Sequence, residues 1–282
     1  MINDTTLMDA VTRLRQGDRA TLAQAMTLIE SSHPRHQELS ARLLDAIMPF
    51  TGNALRLGIT GTPGAGKSTF LEAFGMLLIS ENLHVAVIAV DPSSPVSGGS
   101  ILGDKTRMTA LSRSDAAFIR PVPSGGHLGG GDDLQGIKKG IMEMADLIVI
   151  NKDDGDNRGN VAITRHMYES ALHILRRKYA EWQPQVLTCS ALQKRGIDQV
   201  WQTLCDFRAT LAASGRMEQV RRQQALHWLQ QQTKEQTLHM LFARPDFTRY
   251  FQNTLQAVKS NDLSPRTGLR RISEFLQNHY FQ

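Results

Sequence analysis

Residues 61–68 of this chain, Gly61-Thr62-Pro63-Gly64-Ala65-Gly66-Lys67-Ser68, meet the phosphate-loop pattern GxxxxGK[ST] at every fixed position. That constrains the fold before any other feature does, because the pattern carries chemistry only where a strand enters the loop and a helix leaves it. Both flanks have the right periodicity. Leu55, Leu57 and Ile59 alternate with Arg56, Gly58 and Thr60, which predicts a short strand. Phe70, Leu71, Phe74, Leu77 and Leu78 recur on one face of a helix. Glycines let successive backbone N–H groups turn inward onto phosphate oxygens, and the helix N-terminus adds partial positive charge. In that frame Lys67 reaches the β- and γ-phosphates and the Ser68 hydroxyl ligates Mg2+. The plain alternative, a glycine-rich turn with a solvated lysine, leaves the strand and helix on either side unexplained.

Residues 85–90 form an unbroken apolar run, which predicts a strand buried on both faces and a parallel sheet covered by helices. Such sheets bind ligands at the carboxyl ends of their strands, and this run ends in Asp91. A carboxylate there can hold Mg2+ directly or through water, or orient an attacking water; an Asp before Pro92 also turns the chain for local reasons. The polar, glycine-rich residues 96–108 suit a segment that closes over a nucleotide, with Asp104 as its metal-facing candidate, or an ordinary loop entering a helix. Residues 117–122 predict another strand. Phosphate-loop hydrolysis also calls for a second acidic strand, to hold the metal's water opposite Lys67. None is found: residues 124–136 carry six glycines in thirteen, and no apolar strand follows before residue 147.

A strand over 147–150 runs into Asn151-Lys152-Asp153-Asp154, the NKxD pattern of guanine readers. The stereochemistry is specific. A carboxylate at Asp154 accepts two hydrogen bonds, from N1–H and the 2-amino group of guanine, and adenine offers neither in that arrangement. A site built on such a pair discriminates by a factor on the order of 10⁴. Asn151 can hold the base edge and the phosphate loop, while the Lys152 stem lies along the base plane. Four residues alone would equally suit a polar turn; the strand end and the upstream phosphate loop favour the base reader. A further strand over 185–188 leads into Cys189-Ser190-Ala191-Leu192, similar to the Ser-Ala loop whose backbone N–H meets the guanine oxygen.

The remainder is helical. Residues 1–52 read as an N-terminal extension, with Leu7, Val11 and Leu14 on one face, Leu22, Ala25, Met26 and Ile29 on a second, and Leu39, Leu43 and Ile47 on a third. Residues 53–214 make the nucleotide domain, closed by a helix carrying Ile197, Val200, Trp201 and Leu204. Residues 215–282 read as three helices whose thin apolar stripes lack a core of their own, so a second copy of the chain is the expected partner. The fold class is α/β, a mostly parallel sheet flanked by helices, with helical segments at both ends. Net charge is +5, but the basic residues are scattered, which argues against a nucleic-acid surface. Cys189 and Cys205 have no metal-ligand spacing and read as reduced thiols. There is no apolar signal core and no run approaching the ~20 residues of a membrane span. The expectation is a cytoplasmic protein without membrane contact.

Taken together, these features closely resemble one family over essentially the whole chain: the phosphate loop, Asp91-Pro92-Ser93-Ser94, Gly-Asp-Lys-Thr-Arg-Met at 103–108, Gly-His-Leu-Gly-Gly at 126–130, Asn-Lys-Asp-Asp at 151–154 and the helical C-terminal arm. It is that of the methylmalonyl-CoA mutase-associated GTPases, bacterial relatives of the human methylmalonic aciduria type A protein, some once labelled arginine/ornithine transport kinases. The resemblance implies a dimeric GTPase that docks on an adenosylcobalamin-dependent mutase, gates loading of its cofactor and protects it from inactivation. It implies that Gly61, Thr62, Pro63, Gly64, Ala65, Gly66, Lys67, Ser68 and Thr69 bind the phosphates. Lys67, Asp91 and Asp104 would serve catalysis, with Ser68, Asp91 and Asp104 at the metal. Asn151, Lys152 and Asp154, with Ser190, Ala191 and Leu192, would read guanine.

One departure is large. The family pattern places a helix, an acidic strand with a switch, and a further strand between the stretches that here abut at Gly130 and Gly131. Such a unit needs ~30 or more residues. Either the protein has lost it, or the sequence lacks residues that the protein carries. The second is favoured, because losing two central parallel strands should destroy the sheet. Other readings stay open: a nickel-type metal-insertion GTPase, a catalytically inactive scaffold if the junction is genuine, and an amino-acid transport kinase. The first would need a metal-binding tract, which nine scattered histidines and two distant cysteines do not make.

Overall fold

The computed structural model describes residues 2–31, 33–91, 108–123, 142–175 and 177–280, in two compact units, Met1–Leu211 and Ala212–Gln282. The first unit opens with α1 (Leu7–Arg15), α2 (Arg19–Ile29) and α3 (Pro34–Ile47). They close on one another around Leu7, Val11, Ala25, Leu28 and Leu43. α2 starts where it does because Asp18 caps it, its carboxylate accepting the Thr21 N–H at 2.6 Å. Leu28 faces inward rather than Ile29, which is 41% exposed, a one-residue rotation of the expected face.

Next come α4 (Lys67–Ser80), β1 (Val85–Asp91), α5 (Thr109–Arg113), β2 (Ala117–Pro123), β3 (Leu147–Ile150), α6 (Arg158–Ile174), β4 (Gln185–Thr188) and α7 (Ile197–Ala213). The helical bundle is tied to this part through Arg120 of β2, which grips both carboxylate oxygens of Glu30. Arg19 adds a bond to the Ser114 carbonyl at 3.2 Å.

The described strands are all parallel, but they form two pairs instead of one sheet. β1 pairs with β2 from Val85 opposite Ala117 to Asp91 opposite Pro123, and β3 pairs with β4 from Leu147 opposite Gln185 to Ile150 opposite Thr188. What joins them is α4. Its Phe70, Ala73 and Phe74 pack with Leu187 of β4 and with Ile197 and Val200 of α7. Its Leu71, Met76 and Ile79 pack instead against the cluster of Val87, Met108, Leu111, Ala117 and Ile119. A helix apolar on two faces is one buried between layers, which is why the single-face pattern expected for it is incomplete. α4 ends in a Schellman turn: Asn82 takes φ +59°, and the Leu83 N–H reaches the Leu78 carbonyl at 3.0 Å.

Two strand expectations are corrected. Residues 55–60 alternate as a strand would, yet they form none, and Leu57 and Ile59 are 37% and 39% exposed. A strand is defined by its neighbours, and no described strand pairs with this stretch. The second concerns β1, which is buried on one face only, since Ile88 is 49% exposed while Val87 is 7% exposed.

The second unit holds α8 (Arg216–Phe242), α9 (Pro245–Lys259) and α10 (Pro265–Tyr280). Contrary to the expectation of helices without a core, α9 and α10 share an aromatic one. Phe247 is 2% exposed and stands 6.3 Å from Phe275, which itself stacks on Tyr250 at 4.3 Å. Gly268 permits the close approach, since a Cβ there would lie 3.2 Å from Val258. α8 is different: none of its 27 residues is buried. No described helix is long and apolar enough to cross a membrane.

Candidate functional site

The phosphate-loop residues lead into the N-terminus of α4 through two left-handed glycines, Gly64 at φ +79° and Gly66 at φ +86°. Side chains with a Cβ rarely adopt that conformation, which is the local reason for glycine at both. The Lys67 ammonium turns back over the loop and donates to the carbonyls of Gly61 at 2.8 Å and Thr62 at 3.1 Å. It is thereby held beside the backbone that the motif assigns to phosphates. Ser68 and Thr69 follow in the first turn of α4.

The second half of the site lies beyond β3 and β4, and one side chain joins it to the first. Asn151 donates from Nδ2 to the carbonyls of Ala65 at 3.1 Å and Gly66 at 3.4 Å. Its Oδ1 accepts the Ala191 N–H at 3.0 Å and lies 3.6 Å from the Cys189 thiol. The phosphate loop, Asn151 and the Ser-Ala loop are thus one hydrogen-bonded body. A Cβ at Gly66 would sit 2.6 Å from Asn151 Nδ2, so the tie needs glycine for space as well as for conformation.

Asn151 thus reaches the phosphate loop, and its Oδ1 takes the Ala191 N–H, one backbone N–H of the Ser-Ala loop that was expected to meet the guanine oxygen. Lys152 adopts φ +67°, an unusual conformation for a side chain of its size, and its Cε comes within 3.8 Å of where a Gly66 Cβ would be. Asp154 is held by its carboxylate, which accepts from Ser190 Oγ; Ser190 is fully buried and its Oγ also accepts the Gln193 N–H at 3.1 Å. Leu192 is 78% exposed.

One neighbour, Arg195, escaped the sequence reading. Arg195 donates to the Asp153 carbonyl and lies 3.6 Å from the Asp153 carboxylate. Burial, and then the Asp153 charge, push the Cys189 thiol up to about 11, so it stays protonated at neutral pH. Arg195 had no sequence signal, since nothing local marks residue 195 as the partner of residue 153. Of the expected metal-side carboxylates, Asp91 ends β1, opposite Pro123 in the register. Asp104 lies outside the described residues. Among the described residues no group of three His, Cys, Asp or Glu could hold a metal by itself.

The chain matches the family described as methylmalonyl-CoA mutase-associated GTPase MeaB over residues 22–130 and 129–246. It is 63% identical to the GTPase ArgK of Escherichia coli strain K12, with all of both chains covered. It is 37% identical to the mitochondrial methylmalonic aciduria type A homolog of Mus musculus, over 90% of this chain and 75% of that one. A crystal structure of an LAO/AO transport system kinase superposes with a TM-score of 0.76 at 59% identity, covering 98% of this chain and 99% of the other. The alignment with ArgK runs over 330 positions against 282 residues here, so 48 of its positions have no counterpart in this chain. The two family segments meet beside the Gly130–Gly131 junction. With 225 residues matched by the two family segments, counting their two-residue overlap once, the chain belongs to the methylmalonyl-CoA mutase-associated GTPase family, MeaB.

Proposed function

We propose that this chain binds GTP and GDP with Mg2+, hydrolyses GTP, and uses its nucleotide state to act on an adenosylcobalamin-dependent methylmalonyl-CoA mutase. The observation that carries the reading is the Asn151 tie, which joins the phosphate loop to the loop that orients Asp154. It sets the distance between the group that reads the base and the groups that hold the phosphates.

Each residue has a task in that reading. Asp154 accepts from guanine N1–H and the 2-amino group, and Ser190 keeps its carboxylate turned toward the base. Lys67 exchanges its loop carbonyls for the β- and γ-phosphate oxygens when an anion arrives, trading two neutral acceptors for charged ones. The residues present suit Mg2+, which takes oxygen donors and keeps much of its water. Ser68 offers a hydroxyl in the first turn of α4, and Asp91 a carboxylate at the end of β1. The ion would neutralise charge building on the transferred phosphate. The mutase would then read the difference between nucleotide states, and linkage requires it to alter nucleotide affinity or turnover in return. Gating of cofactor loading and protection of the mutase are the outcomes proposed for that coupling.

Calorimetry with GDP and ADP tests the base reading. GDP should bind more tightly by orders of magnitude, and Asp154→Asn should shrink that preference. Equal affinity for the two nucleotides would sink the assignment. Purified mutase should raise a slow intrinsic turnover; if it alters neither turnover nor nucleotide affinity, the partner is wrong.

A further inference from the structure

Residues 190–195 form a tight hairpin whose two ends are fastened to each other. Ser190 and Arg195 exchange both backbone bonds, each N–H to the other's carbonyl at 3.0 Å. Gly196 closes the turn at φ +74°, where a Cβ would meet the Thr188 carbonyl at 2.8 Å. From this base the two side chains reach in one direction, Ser190 to the Asp154 carboxylate and Arg195 to the carbonyl of Asp153. That carbonyl belongs to the peptide group whose nitrogen is Asp154's own. The hairpin therefore holds Asp154 twice, by its backbone through Arg195 and by its side chain through Ser190.

We propose that Arg195 is a positioning residue for base selection, a role that rests on the reading of Asp154 as the guanine-recognising carboxylate. The loop it steadies is under strain, since Lys152 stands at φ +67° two residues before Asp154. Backbone bonds secure the loop's entry, with the Asp153 N–H on the Cys189 carbonyl at 3.0 Å and the Cys189 N–H on the Ile150 carbonyl at 2.9 Å. Arg195 secures its exit. The guanidinium also faces the Asp153 carboxylate, at 3.6 Å with 44% and 22% of the two side chains exposed. A pair so open to water adds little to the stability of the fold. What it adds is direction: with the 153–154 peptide group free to turn, the Asp154 carboxylate no longer meets both guanine donors at once. The phosphate loop is held separately, by Asn151.

The test compares fluorescent GDP, fluorescent ADP and inorganic pyrophosphate on the full chain and on Arg195→Met. The parent is measured first. A parent with no preference for GDP over ADP defeats the Asp154 reading itself, independently of Arg195. Given that preference, Arg195→Met should lower GDP affinity roughly tenfold, about one charge-assisted hydrogen bond to a peptide group, while pyrophosphate affinity and thermal melting stay near the parent's. Arg195→Lys, which keeps a donor but not the fork, should recover part of the loss. If Arg195→Met does not fold, Arg195→Lys carries the test alone, with a GDP preference roughly threefold below the parent's expected at unchanged pyrophosphate affinity. The proposal is overturned if the folded variants keep the parental GDP preference, or if GDP and pyrophosphate affinities fall together.

Discussion

Lys67 is tied into its own loop, and the reaction proposed for it would have to replace those ties. Its two bonds to the Gly61 and Thr62 carbonyls cross only five or six residues, so they shape the loop locally and bury little. Net contributions of such bonds are about 0.5–1.5 kcal/mol, small beside the packing of Phe70 and Phe74 just downstream, each worth roughly 1.5–3 kcal/mol on burial. Lys67→Ala should therefore leave the far-ultraviolet circular dichroism and the melting temperature of the nucleotide-free protein nearly unchanged, while abolishing GTP turnover. A collapse of the nucleotide-free fold would assign the lysine to structure.

Among the elements, α4 has the most to lose, because both strand pairs lean on it. Gly75 lies where it meets α5, and a Cβ there would stand 2.8 Å and 2.9 Å from the two terminal methyls of Leu111. Two effects oppose each other at this position. Replacing a helical glycine by alanine gains up to about 1 kcal/mol in helix propensity. Overpacking costs about 1–3 kcal/mol, and it falls on Leu111, which is 0% exposed and packed among Val87, Met108, Ala117 and Ile119. The second effect wins. Gly75→Ala should lower the urea midpoint, by a net cost of about 1 kcal/mol; a midpoint at or above the parent's would mean that α5 yields.

For the molecule as a whole, the exposed apolar residues of α8 and the Gly130–Gly131 junction carry the remaining expectations. Leu226, Leu229 and Leu238 are 61%, 57% and 54% exposed along one helix with no buried residue. Large apolar side chains left in water along a helix with no buried residue suit an interface, and a second copy is the proposed cover. The full chain should be a dimer by light scattering, and a chain ended at Ser214 a monomer; a monomeric full chain contradicts the proposal. The junction bears on hydrolysis. An intact mass of 31.4 kDa would establish that the protein itself lacks the 48 positions that ArgK has in the alignment. GDP affinity should then survive, because Asn151, Asp154 and Ser190 all lie outside that segment, while GTP turnover should fall well below that of ArgK. Equal turnover would show that the segment is dispensable.

Short-range features were legible in the order of residues. The loop glycines and the four strands ending in or near Asp91, Pro123, Asn151 and Cys189 follow from backbone preferences and periodicity within a few positions. The NKxD and phosphate-loop patterns belong to the same class, since each is a run of adjacent residues. What depended on neighbours in space was not legible. The alternation at residues 55–60 has the pattern of a strand and no described partner to make it one, and the choice of Leu28 over Ile29 was set by where α1 and α3 lie. Asn151 reaches back 86 residues to Ala65, and Arg195 reaches back 42 to Asp153. Hydrogen bonds of that span exist only after the chain has closed on itself, so their donors look like ordinary polar residues until the packed elements bring the acceptors to them.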